Sequence, residues 1–153
     1  MSGLNKFVAA MFLSAAMLFS SAARAMDIIE FDQMANQDRQ DFLNSLSKAA
    51  ETVLEQEGRS ADAQKVHHLF NDIRPGDNLP VGEAELEMNL ANARVRDAEK
   101  HIQNPNAPRV QVETALISTL RKNGIEISTD LVKGLFQLTG TFKPKFPPKK
   151  EKN

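Results

Sequence analysis

The chain has 153 residues, 41% of them hydrophobic and 25% charged, with 19 Lys and Arg against 20 Asp and Glu and no Cys, Trp or Tyr. Without Cys there is no disulfide framework, no thiolate metal site, no cysteine nucleophile and no lipid-modified N-terminal cysteine. The near-neutral balance excludes a wholly basic nucleic-acid binder, and ordinary hydrophobicity excludes a fully disordered chain.

Residues 1–25 read as a cleaved secretory signal. Lys6 charges a short n-region, Phe7 to Leu18 is apolar except for Ser14, and Ala23-Arg24-Ala25 has the A-x-A form of a signal-peptidase site. The apolar run is shorter than the roughly 20 residues that span a bilayer. Cleavage after Ala25 leaves a mature chain of 128 residues starting at Met26, with a net charge of −3. No later segment is long and apolar enough to span, so the expected location is the periplasm or the medium. The charge is unevenly placed: residues 26–140 carry −7 and residues 141–153 carry +4.

Residues 27–34 are expected to be an extended or irregular lead-in that docks Ile28, Ile29 and Phe31. A helix over about 37–57 follows from Phe42, Leu46, Ala49, Ala50, Val53 and Leu54, with Asn36 as N-cap and Gly58 as terminator. Ser60 caps a second helix, about 61–72, whose inner face is Ala63, Val66, Leu69, Phe70 and Ile73. Pro75 and Gly76 break it, and residues 74–82 form a turn-rich loop.

A third helix over about 83–103 has Glu83, Glu85 and Glu87 near its positive end. Its expected inner stripe is Leu86, Leu90, Ala93, Ala98 and Ile102, with Val95 at the margin. Asn104 to Pro108 ends it. A fourth helix, about 110–122, carries Val112, Ala115, Leu116 and Leu120 and closes at Gly124. Ile125 to Ile127 is a short extended link. Ser128 or Thr129 caps a last helix, about 129–139, with Leu131, Val132, Leu135, Phe136 and Leu138. The expected fold class is all-α: one domain over 26–140, a bundle of about five helices.

Residues 141–153 cannot pack or form a helix, because three prolines and like charges keep them extended. Phe142, Lys143, Lys145, Phe146, Lys149 and Lys150 interleave aromatic and basic groups, a composition suited to an anionic envelope surface or an acidic protein.

Asp72 to Glu83 is a twelve-residue stretch between two helices with acids at both ends. It fails as a calcium loop, because Arg74, Gly76 and Asp77 stand where oxygen ligands and the turn glycine belong. His68 and Asp72, and Asp97 and His101, are i,i+4 pairs. They would make a metal site only if antiparallel packing brought all four together. No nucleophile elbow or phosphate loop exists, and the carboxylate pairs Asp38/Asp41 and Glu83/Glu87 lie on expected wet faces. An enzyme is therefore not expected, nor is a cofactor.

The expected function is an exported helical protein-interaction module of the bacterial envelope, bound to another protein or an anionic surface, with no specific nucleic-acid partner. One alternative is a periplasmic chaperone or inhibitor of an exported enzyme, using an exposed patch at Leu131, Leu135 and Leu138. The other is a metal-binding protein using His68 and His101.

Overall fold

A computed structural model describes residues 25–141, with side chains through Leu138. Residues 1–24, nearly all of the expected signal segment 1–25, and residues 142–153 lie outside the described residues. Among the described residues six helices follow in order: α1 (Ile28–Gln33), α2 (Asn36–Gln56), α3 (Ser60–Asn71), α4 (Val81–Gln103), α5 (Val112–Lys122) and α6 (Thr129–Thr141). There is no strand among the described residues beyond one isolated antiparallel bridge, Asp27 with Gln111. The fold is an all-α bundle, as the apolar periodicity leads one to expect.

The first departure is α1. The lead-in is helical because the Asp27 carboxylate accepts the Glu30 N–H at 2.8 Å and caps one turn. That turn buries Ile28 and Phe31 and turns Ile29 outward. Phe31 meets Phe42 of α2 with ring centroids 6.1 Å apart. Arg94 of α4 grips the Asp32 carboxylate through Nε at 3.0 Å and Nη2 at 2.9 Å.

α2 buries Phe42, Leu46, Ala50 and Leu54 at i,i+4 spacing. Asn36 is its first helical residue rather than its cap, and Ala35 holds the cap position. α3 likewise begins at Ser60, with Arg59 before it. Arg59 bonds the Asp62 carboxylate at 2.8 Å and the Glu126 carbonyl at 2.8 Å, tying the α2–α3 turn to the α5–α6 link. The hydrogen bond to Asp62 raises the Arg59 pKa further above its usual range.

α2 packs on α3 and α6, α4 packs on α5, and α3 joins the two groups. Two close approaches set the spacing. A Cβ on Gly82, in the first turn of α4, would lie 2.7 Å from the Leu69 carbonyl oxygen of α3. A Cβ on Gly134 of α6 would lie 2.6 Å from Val53 Cγ2 of α2. Neither position was singled out by periodicity, since a glycine within a helix reads only as a weak helix former. α6 runs on through Gly140 to Thr141. At its start Ser128 Oγ accepts the Leu131 N–H at 3.1 Å, the expected cap, and donates to Glu57 Oε1 at 2.5 Å.

The N-terminal end of the described chain is pinned by backbone pairing. Ile28 N–H donates to the Val110 carbonyl at 2.8 Å, and Val112 N–H donates to the Met26 carbonyl at 2.9 Å. Met26 N–H donates to Glu113 Oε1 at 3.1 Å, and Glu113 is 0% exposed.

Candidate interaction surface

α4 has two apolar faces, and only one meets the core. Leu86, Leu90 and Ala93 are buried, with Gly82 before them and Asp97 after them. Ala98 and Ile102, expected on that stripe, point the other way. Ile102 is 83% exposed, Val95 57% and Met88 62%. These three lie seven residues apart, and exposed Ala84, Ala91 and Ala98 alternate with them at spacings of four and three, Ala84 before Met88 and the other two between the large residues. That is the a/d seam of a heptad repeat: large at every a position, alanine at every d. It continues past Met88 into a shallow depression lined by Leu79, Val81 and Ala84. The periodicity misled because the two series interleave, and a single stripe drawn through both crosses from one face to the other.

Charge is graded along the same helix. Its first half carries Glu83, Glu85 and Glu87. Its second half carries Arg96 and Lys100 against Glu99, since Asp97 is turned inward and Arg94 is paired with Asp32 of α1. The helix thus presents an acidic start and a basic end beside its outer apolar ridge.

The candidate metal ligands separate into two pairs. His68 Nδ1 bonds the Asp72 carboxylate on exposed surface beside Val81, where α4 begins. Asp97 lies sixteen residues further along α4, about 24 Å by helical rise. The four residues therefore do not converge. No group of three His, Cys, Asp or Glu among the described residues is placed to hold a metal ion. His67, the third histidine, bonds Glu51 of α2 at 3.0 Å.

Asp97 is a structural carboxylate rather than a solvated one. Its Oδ1 accepts the Val110 N–H at 2.9 Å and its Oδ2 accepts Arg109 Nη1 at 2.7 Å. Burial pushes its pKa up. The Val110 and Arg109 hydrogen bonds, with the charges of Arg109 and His101, outweigh burial and hold the carboxyl below the usual aspartate range. His101 Nδ1 lies 3.1 Å from the Pro105 carbonyl, which only accepts, so that nitrogen carries the proton. Asp97 and Glu113 are the two buried acids that sequence reading missed. Asp97 continues the Leu86–Leu90–Ala93 series, and Glu113 opens the series Leu116–Leu120, so a carboxylate in a core register was the available sign.

The loop from Asp72 to Pro80 is exposed apart from Pro80, and Asp77 N–H closes a turn onto the Arg74 carbonyl at 3.0 Å. Ile73, expected inward, is exposed. The patch expected on the last helix is not a surface: Leu131 and Leu135 are fully buried, and Leu138 packs half-buried against the core. The tail residues Phe142, Lys143, Lys145, Phe146, Lys149 and Lys150 lie outside the described residues. No helix among the described residues is long and apolar enough to cross a membrane. No family model matches the chain, and searches of curated proteins and of solved structures find no match.

Proposed function

We propose that this chain is an exported helical interaction module of the bacterial envelope, and that it works by pairing the outer face of α4 with α4 of a second copy. The observation that carries the reading is the exposed ridge of Met88, Val95 and Ile102 with its intervening alanines. An antiparallel pair with its two-fold axis near Ala93 sets Met88 against the partner's Ala98, Val95 against the partner's Ala91, and Ile102 against the partner's Ala84. Every layer then joins one large and one small side chain, which lets two helices approach closely and fill the space between them. The same orientation lays the acidic start of each α4 along the basic end of the other. A parallel pair would stack Glu83, Glu85 and Glu87 on their own copies. A two-fold contact is self-complementary, as a closed dimer requires.

The test is sedimentation equilibrium on residues 26–153. A dimer is expected that Val95→Lys converts to a monomer with unchanged helical circular dichroism, since Val95 touches solvent and not the core. A monomer at protein concentrations of about 100 µM, where contacts of useful affinity are populated, overturns the pairing. So does a dimer indifferent to Val95→Lys.

A further inference from the structure

We infer that the hollow between α2 and α4 is a binding site for a free α-amino acid with an apolar side chain, its carboxylate received by Arg39 and its ammonium group by Glu87. The site is separate from the pairing of α4 with a second copy.

The hollow has a volume of about 300 Å³, with α2 on one side and α4 on the other. That is the lower end of the range for small-molecule sites. Phe31 of α1 and Leu43 of α2 are its buried members and form an apolar floor. Arg39 and Gln40 line the α2 wall, and Glu87 and Arg94 line the α4 wall. Glu87 and Arg94 each stand one position before a residue of the outer ridge, about 100° round the helix. The hollow therefore opens beside the ridge and not on it.

Arg39 singles this hollow out. Three arginines among the described residues are half-buried: Arg39, Arg59 and Arg94. Arg59 holds Asp62 at 2.8 Å, and Arg94 holds Asp32 at 2.9 Å. Arg39 has no carboxylate within ion-pairing distance among the described residues, and its guanidinium donates only to the neutral side-chain oxygen of Asn36. A cation that has lost part of its hydration ordinarily regains it from an anion. The planar fork has five N–H donors, and a carboxylate takes two of them at once. Arg39 thus offers an open bidentate seat, whereas Arg94 is already neutralised by Asp32.

Glu87 narrows the class of ligand. It is exposed on the opposite wall, and no cation among the described residues pairs with it. A simple carboxylate on Arg39 would face this second negative charge, and a simple amine on Glu87 would face the guanidinium. A zwitterion answers both, each of its charges meeting the opposite one. Phe31 and Leu43 then cover its side chain and remove apolar area from water.

The probe is L-leucine, titrated into residues 26–153 at about pH 6.5, where both of its charged groups are ionised. Heteronuclear NMR follows the Arg39 side-chain Nε–H and the Glu87 backbone amide. Saturable shifts of both, with a Kd below about 1 mM, are expected. Isocaproate lacks the ammonium group and leucinamide lacks the carboxylate, and each should bind about tenfold more weakly or worse. Arg39→Gln should weaken leucine binding about tenfold or more, and Glu87→Gln about threefold or more, with unchanged helical circular dichroism. Leucine affinity that survives Arg39→Gln overturns the site. Isocaproate binding as tightly as leucine overturns the zwitterion. If Arg39→Gln does not fold, Glu87→Gln on the exposed wall decides, and an unchanged leucine affinity there overturns the inference. So does the absence of saturable shifts with L-leucine, L-methionine and L-phenylalanine alike.

Discussion

The inner and outer faces of α4 are built from the same kinds of residue and meet different fates. Leu86, Leu90 and Ala93 on the inner side are covered by the chain's own helices, while Met88, Val95 and Ile102 on the outer side are covered by nothing the described chain contributes. Apolar content therefore does not say where a helix packs. The register does: the inner series shares its side with the glycine contact at Leu69 and with the Arg94 grip on α1, whereas the outer series keeps a heptad spacing that no neighbouring helix uses.

Truncating the inner face should have the largest effect. Leu90→Ala removes a fully buried side chain and leaves a cavity, so a loss of about 3 kcal/mol is expected from urea unfolding. Next comes the polar end of that face. Asp97→Asn keeps the shape and an acceptor for Val110 but loses the charge that holds Arg109, for about 1–2 kcal/mol at neutral pH after allowing for the half-open guanidinium.

The sign of the pH dependence follows from the direction of the shift. A carboxyl whose folded pKa is depressed contributes stability above its unfolded value, ~3.9, and loses it as pH falls through the lower folded value. The gap between Asp97 and Asp97→Asn unfolding energies should therefore be full above about pH 5 and close below about pH 4. A gap that persists in stronger acid would place the contribution in packing alone. The smallest effect belongs to the outer face. Ile102→Lys should change the unfolding energy, measured at concentrations where both chains are monomeric, by no more than about 0.5 kcal/mol while weakening association in sedimentation. A large stability loss there would mean that some part of this chain already covers the ridge.

Most of the fold was legible because each of the five longer helices has a repeating apolar series and an ordinary stop: Gly58 and Gly124 take the left-handed φ of +75° and +80° that ends α2 and α5. α1 was missed because six residues are too few for periodicity to show, and its helix depends on one Asp27 cap. The α4 ridge was missed because Ala98 and Ile102 fit a stripe of the right period on the wrong side. The metal hypothesis failed on distance, which spacing within single helices does not report. Glu113 was passed over because an acid in a first turn usually serves the helix dipole in solvent, and the N–H it accepts belongs to Met26, 87 positions earlier.

That separation also orders the folding of the chain. α2 and α3 are sequence neighbours and close on each other through a short turn, as do α4 and α5 across residues 104–111. Residues 26–28, by contrast, gain their long-range backbone partners only when residues 110–112 exist. In a polymer made from its N-terminus, the start of the helical bundle is thus secured after most of it is present. Contacts of such long sequence separation close slowly and lengthen the search for the native state. The start of the bundle is held among the last, and until then α1 rests on its Asp27 cap, the Phe31 contact with Phe42 and the Arg94 grip on Asp32.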